Sequence, residues 1–124
     1  MIQQIPNLPA NMVGFRAGGE VTQEDFTQSV IPQVGKLVEK TGQLNYMLVL
    51  DTPIGEFTAG AWIQDAWMGI KHLTRWHRAA IVSDSENIKK FTEIFSRFMI
   101  GEFKVFHKDE QEKAVAWVSG RTGA

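Results

Sequence analysis

The stretch LNYMLVL, residues 44–50, is a nearly continuous apolar run. A run of this kind is typical of a central strand whose two faces are both covered. Asp51-Thr52-Pro53-Ile54-Gly55 follows as a loop, because proline and glycine interrupt regular structure there. The elements on either side of the run should therefore pack against a sheet of which this strand is the centre.

The segment before the run predicts a helix that begins after Thr22 and ends at Gly42. The Thr22 hydroxyl can accept the amide of Asp25, whose carboxylate can reach back, as in a capping box. Pro32 should kink or split this helix, and Gly42 is suited to its end. Apolar residues recur at helical spacing along it, namely Phe26, Val30, Val34, Leu37 and Val38.

The N-terminal part predicts two strands. Met12 to Ala17 mixes apolar and polar residues and stops at a pair of glycines, as a strand before a turn does. Ile2 to Ile5 can be a short partner for it, paired antiparallel, but Pro6 and Pro9 restrict such a strand to the edge of the sheet.

The segment after the central run predicts a second helix from about Ala59 to near Arg75, and then a short buried strand from Ala79 to Val82. The helix carries one wide apolar stripe, which is formed by Ala59, Trp62, Ile63, Ala66, Trp67, Ile70 and Leu73.

Three further elements complete the pattern. Ser83-x-x-Glu86 predicts the start of a third helix, residues 102–107 alternate as an outer strand does, and Asp109-x-x-Glu112 predicts the start of the last helix. Strands and helices thus alternate along the chain. This order predicts an α/β fold, with one mixed, mostly parallel sheet of four or five strands and helices packed on it.

Composition narrows the class of protein. The 124 residues predict a single domain, 1–124, and 44% of them are hydrophobic, which is enough for a core. The net charge of −1 disfavours general nucleic-acid binding, and no apolar run is long enough to span a membrane. The chain has no cysteine and no signal-peptide pattern at its start. These features predict a cytoplasmic protein.

Metal binding is poorly supported by the sequence. His72 and His77 are five positions apart, so on a continuous helix their rings would point apart. Asp65 and His72 share a helix face, but two ligands without a third make a poor site. We therefore expect no metal. We also expect no cofactor, since no nucleotide-binding glycine motif is present.

Catalytic motifs are likewise not found in the sequence. No serine lies in a Gly-x-Ser-x-Gly elbow. Asp51 follows the central strand at its carboxyl end, where α/β proteins usually bind ligands, although aspartate is also common in turns. Aromatic and basic residues interleave from Trp67 to Arg78 as in a stacking surface, but a buried stripe next to a solvated face explains them better.

The run WIQDAWMGIKHLTRWHRAAIVSD, residues 62–84, resembles the SpoIIAA-like family, a branch of the STAS domains. The resemblance extends from about Met12 to Trp117, with support from Asp51, Pro32 and the Ala116-Trp117 pair. Its main positions are Trp62, Asp65, Gly69, Lys71, His72, Arg78, Ala80, Val82 and Asp84. Within this set, Trp62, Gly69, Lys71, Arg78 and Asp84 are interpreted as structural.

The resemblance implies a sheet of four or five strands similar to the lipid-binding half of CRAL-TRIO proteins, and no established reaction. STAS relatives bind a partner protein and are switched by phosphorylation of a serine in a turn. The matching region here, residues 56–60, has Ala59 at the serine position, so the switch is not carried over. Thr58 is the hydroxyl nearby, and we interpret it as a helix cap.

The leading hypothesis is a non-enzymatic regulatory or protein-interaction module with an unidentified protein partner. The alternative is a carrier or sensor of a small apolar ligand such as a lipid, because four tryptophans and eight phenylalanines could line a cavity. A homodimer is compatible with either hypothesis. The candidate positions for a ligand or interaction site are Asp51, Thr58, Asp65 and His72.

Overall fold

A computed structural model of the protein describes residues 1–51, 75–84 and 101–120. Within these residues, five strands form one sheet in the order β1-β2-β3-β4-β5. β1 pairs antiparallel with β2, and the other neighbouring strands pair parallel. The predicted mixed, mostly parallel sheet is therefore confirmed. The strands are Ile2–Gln4 (β1), Val13–Ala17 (β2), Leu44–Leu50 (β3), Trp76–Val82 (β4) and Glu102–Phe106 (β5).

β3 lies at the centre of the sheet, and all seven of its residues are buried. Its side chains alternate between two cores, as a pleated strand requires. Leu48 and Leu50 belong to the first core together with Phe26 and Val34, while Met47 and Val49 belong to the second. The prediction of a strand covered on both faces is confirmed, and this covering explains why the run does not alternate with polar residues.

The helical segment between β2 and β3 has three parts, which are α1 (Gln23–Asp25), a π-helical turn (Phe26–Val30) and α2 (Ile31–Thr41). The predicted capping box is present, with Asp25 N donating to Thr22 Oγ1 at 3.3 Å and Thr22 N donating to Asp25 Oδ2 at 2.8 Å.

The helix is not split at Pro32, since residues 23–41 remain helical, but a π-helical turn interrupts its regular α-helical bonding just before the proline. Pro32 occupies the first turn of α2, where its missing N–H leaves no bond unmade. The turn before it is widened, because the Ile31 amide donates to the carbonyl of Phe26, five residues earlier. Gly42 ends α2 in the left-handed conformation, with φ of 75°.

The last helix begins differently from the sequence prediction. A 3₁₀ turn (Lys108–Glu110) precedes α3 (Gln111–Ser119). Glu110 Oε1 accepts the amide of His107 at 3.1 Å, and the Glu110 amide donates to the backbone carbonyl of His107 at 2.9 Å, so the turn is closed between these two residues. The predicted Asp109-x-x-Glu112 cap is therefore wrong, because Asp109 already lies inside the 3₁₀ turn.

β4 begins at Trp76, three residues before the predicted strand. Its pairing with β3 shifts register between Leu44 and Asn45, which places His77 in a bulge. Trp76 is buried in the first core, so the basic and aromatic interleaving does not form a stacking surface at this position. Next to it, Gly101 has φ of 106°, and a Cβ there would lie 2.8 Å from the Trp76 carbonyl oxygen.

Two predicted elements lie outside the described residues. They are the helix from about Ala59, which contains Trp62, and the third helix from Ser83-x-x-Glu86 beyond Asp84. In the part of the chain that the structure describes, no helix has the length and apolar character that crossing a membrane requires.

Candidate functional site

Asp51 is the first residue after β3, and two cations hold its carboxylate. Arg16 Nη1 lies 2.8 Å from Asp51 Oδ2, and Lys108 Nζ lies 2.9 Å from Asp51 Oδ1. The Asp51 amide donates to the carbonyl of Ala17 at 2.8 Å, which fixes the backbone next to the end of β2. The position predicted from the strand-end rule thus lies in an ion-pair network.

The sheet itself brings these residues together. β2, β3, β4 and β5 run parallel, so their carboxyl ends all lie at the same end of the sheet. Arg16 alternates with the buried Phe15 and Ala17, which places its side chain on the other face of β2. There Arg16 Nη2 donates to Gln111 Oε1 at 3.0 Å, linking the network to the first residue of α3.

The electrostatics of Asp51 follow from these contacts. The hydrogen bond from Arg16 is the main cause that lowers the pKa of the Asp51 carboxyl, with a further contribution from Lys108, although partial burial opposes both. The carboxylate is therefore ionised at neutral pH, and both of its oxygens face cations.

Asp84 and His107 extend the network along the carboxyl end of the sheet. Asp84 Oδ1 accepts the Lys108 amide at 3.0 Å and lies 3.2 Å from His107 Nδ1. The backbone bond from Lys108 is the main cause that lowers the pKa of Asp84. Lys108 therefore joins both aspartates, one through its ammonium group and the other through its amide.

We refer to Arg16, Asp51, Asp84, His107 and Lys108 as the carboxyl-end cluster. Beside it lies an open cavity of about 590 Å³, whose lining is almost entirely charged. The residues that line it are Asp84, His107, Lys108, Asp109, Glu110 and Lys113.

The amino end of the sheet carries a second polar group with different chemistry. Asn45 is only 3% exposed, and its Nδ2 donates to the carbonyl of Asn11 at 2.9 Å. Asn45 Oδ1 must then accept from His77 Nδ1, at 2.8 Å, so the His77 ring carries a proton on Nδ1. Asn11 Nδ2 in turn donates to the carbonyl of Ser119 at the end of α3.

Arg78, interpreted from the resemblance as structural, also lies at the amino end. Its Nη1 donates to the carbonyl of Trp117 at 2.6 Å, and its Cζ lies 5.2 Å from the centre of the Trp117 ring. Its Nε is 3.3 Å from Glu102 Oε2. Arg78 thus connects β4 with α3 and β5, which fits a structural role.

The sequence found only part of the carboxyl-end cluster. It identified Asp51 as a site candidate and Asp84 as a structural residue, and Lys108 brings the two together. Arg16, His107 and Lys108 were missed. The strand-end rule that selected Asp51 could have selected His107 and Lys108, which directly follow β5. The other positions predicted from the sequence lie outside the described residues, namely Thr58, Asp65, His72, Trp62, Gly69 and Lys71.

Two of the other predictions bear on ligands. In residues 1–51, 75–84 and 101–120, no three His, Cys, Asp or Glu side chains are grouped so as to hold a metal ion. Four described aromatic residues, Phe15, Tyr46, Trp76 and Phe103, pack in sequence with ring centres 5.3–5.9 Å apart. Phe15, Tyr46 and Trp76 belong to the first core, and Phe103 packs against it. A carrier of an apolar ligand stays a prediction from the sequence.

Comparison with known proteins gives a family and a fold. The sequence model of the SpoIIAA-like family matches residues 12–119. A crystal structure of an uncharacterized protein of the DUF3478 family from Shewanella loihica PV-4, described as having a SpoIIAA-like fold, superimposes with a TM-score of 0.75. It is 23% identical, and the alignment covers 94% of this chain and 93% of that chain. A search of curated proteins finds no match. Since the family match covers most of the chain, the protein belongs to the SpoIIAA-like family.

Proposed function

We propose that the protein is a non-enzymatic interaction module that binds a partner protein through the carboxyl-end cluster. The observation that carries this proposal is the network in which Arg16 and Lys108 hold the two oxygens of Asp51 at 2.8 and 2.9 Å. This network lies at the carboxyl end of the sheet, where open α/β sheets usually bind their ligands.

The charges of the cluster are suited to recognition. The side chains of Arg16 and Lys108 are each 42% exposed, and that of Asp51 is 33% exposed. Ion pairs with this exposure contribute little to the free energy of unfolding. In an interface, the same charges select complementary partners and accelerate association. Their attachment to strand ends holds them in place before a partner arrives, which lowers the ordering cost of binding.

The carboxylates of the cluster are poorly suited to proton transfer. A general base works best with a pKa near the working pH. The pKa of Asp51 is lowered by Arg16 and Lys108, and that of Asp84 by the Lys108 amide and His107. Both groups therefore hold protons weakly, which favours a binding role for them over a catalytic one.

Membership of the SpoIIAA-like family supports the same proposal, since the STAS relatives that the sequence resembles act by binding proteins. Thr58 lies outside the described residues, and we propose that it caps the following helix and is not a phosphorylated switch. Asp65 and His72 are proposed to belong to the same interaction surface or to support it.

The proposal is tested by affinity capture from the source cells, with quantitative mass spectrometry, using wild-type protein, Lys108→Glu and Lys40→Glu. Lys40 is exposed in the last turn of α2, which leads to the opposite end of the sheet, so it gives a matched charge reversal. We expect a protein that wild type and Lys40→Glu capture equally and that Lys108→Glu loses at least about tenfold. Equal capture by all three would contradict the proposal.

A further inference from the structure

The two cations that hold Asp51 have hydrogen-bond donors to spare. A guanidinium has five N–H groups, and Arg16 uses Nη1 for Asp51 and Nη2 for Gln111 Oε1. An ammonium has three, and Lys108 directs one of them to Asp51. Among the described residues, the other N–H groups of these two side chains have no acceptor, and each side chain is 42% exposed. They can therefore bind an acceptor from outside the chain.

The carboxylates of the carboxyl-end cluster have less to offer a ligand. Both oxygens of Asp51 already face cations, at 2.8 and 2.9 Å. Asp84 accepts the Lys108 amide and faces His107. Arg16, Asp51 and Lys108 together are two cations and one carboxylate, which leaves a net charge of +1. Asp51 also keeps the two cations in place, because without a carboxylate between them they would repel each other.

The 3₁₀ turn that contains Lys108 limits the direction from which a negative group can approach. Asp109 is exposed and, within the described ranges, forms no ion pair. Glu110 is partly neutralised, since it lies 3.5 Å from Lys113 Nζ. Both acids line the cavity beside the cluster. They repel an anion there, so the side of Asp51 on which Arg16 lies is the favourable approach for a negative group.

We propose that the partner protein presents an acidic side chain, which binds the free N–H groups of Arg16 and Lys108 beside Asp51. This inference rests on the proposed function, because it names the chemistry of the partner at the same surface. The planar fork of a guanidinium is suited to a carboxylate, which can accept two parallel N–H bonds. Asp51 and Gln111 hold the guanidinium at two of its nitrogens, so little ordering is needed when the partner binds. A basic side chain in the same place would face two cations and be repelled.

The test titrates isotope-labelled protein with a short polyglutamate peptide and, separately, with a polylysine peptide of the same length. Amide chemical shifts in NMR spectra report where each peptide binds and how tightly. Polyglutamate should shift the amides of Arg16, Asp51 and Lys108 in a saturable way. Polylysine at the same concentrations should leave these three amides unshifted, because the two cations repel it.

Three variants that each neutralise one charge give the sign of the effect. Arg16→Gln should weaken polyglutamate binding at the cluster about threefold to fivefold, the scale of one exposed ion pair. Asp109→Asn should strengthen it about twofold, because a repelling charge is removed. Lys40→Gln is the matched control and should leave the affinity at the cluster unchanged, since Lys40 lies in the last turn of α2. Circular dichroism checks that each variant is folded.

The proposal is overturned if polylysine binds the cluster more tightly than polyglutamate does. It is also overturned if Asp109→Asn weakens polyglutamate binding, or if Arg16→Gln and Lys40→Gln change it equally. Affinity capture separates this inference from the proposed function. Equal capture by wild type and Lys108→Glu overturns the proposed function, whereas a partner that Lys108→Glu loses and Arg16→Gln retains overturns only the acidic group.

Discussion

The two ends of the sheet both hold polar side chains, but they hold them in different ways. At the amino end, Asn45 is 3% exposed, uncharged and bonded to Asn11 and His77. At the carboxyl end, Asp51 is an exposed residue, and its carboxylate is paired with two cations. A buried amide that loses a partner costs the full penalty of an unmet hydrogen bond, whereas an exposed charge is returned to water. We infer that the amino end stabilises the fold and that the carboxyl end serves recognition.

The largest effect on stability is expected at Gly101, at the amino end. Gly101→Ala would force a side chain into positive φ and place its Cβ 2.8 Å from the Trp76 carbonyl oxygen. We expect a loss of about 3 kcal/mol in urea unfolding, from backbone strain and steric overlap. Gly35→Ala is the control, since Gly35 is inside α2 with open space around its Cβ position, and it should gain about 0.5–1 kcal/mol. Equal effects at the two glycines would contradict this assignment.

The next largest loss of stability is expected at Asn45. Asn45→Ala removes a buried side chain and leaves the Asn11 carbonyl without its donor, so unfolding should become easier by about 2 kcal/mol. Gln43→Ala, an exposed neighbour on the same chain segment, should change stability by less than about 0.5 kcal/mol. An Asn45→Ala effect as small as that of the control would remove the distinction between the two ends.

The sequence specified the elements better than their assembly. The apolar run at β3, the Thr22–Asp25 cap and the end at Gly42 depend on neighbours along the chain, and all three were predicted. The bulge at His77 and the pairing of Asn45 with Asn11 depend on register between strands, which a hydrophobic pattern does not contain.

The candidate site was also predicted only where it depends on neighbours along the chain. Asp51 was identified because it follows a central strand, which is a local property. Its partners Arg16 and Lys108 come from other strands, and only the order β2-β3-β4-β5 places them at its two oxygens. Predicting them would have required the strand order, which the alternation of helices and strands leaves open.

A smaller effect, with a characteristic pH dependence, is expected at Asp51. Its folded-state pKa is lowered below the ordinary value of 3.8, so its contribution to stability is present above that value and disappears as pH falls through the lowered pKa. Asp51→Asn should therefore lose about 0.5 kcal/mol at neutral pH, a value that allows for solvent screening, and nothing in strong acid. Asp109→Asn, on the same edge, is the control.

Urea unfolding from neutral to acidic pH measures this effect. An Asp51→Asn difference that grows as the pH falls would have the wrong sign. High salt should also reduce the difference, because the ion pairs are partly exposed.

The smallest effect is expected from metal ions. Zinc or nickel at about tenfold excess should move the melting temperature by less than about 1 °C, as no three-ligand set is expected. Among the described histidines, Nδ1 of His77 faces Asn45 and Nδ1 of His107 faces Asp84. Differential scanning fluorimetry with and without the metal measures this change in melting temperature. A rise of several degrees that His72→Ala abolishes would show that a site had been missed.

The division of roles between the two ends is tested most directly by measuring stability and partner capture on the same preparations of wild type, Asp51→Asn and Asn45→Ala. We predict a crossed result, in which Asp51→Asn keeps its stability within about 1 kcal/mol but loses the partner. Asn45→Ala should lose about 2 kcal/mol and, while folded, keep the partner. If Asp51→Asn captures the partner as wild type does, or Asn45→Ala loses it while folded, the carboxyl end is not the recognition surface.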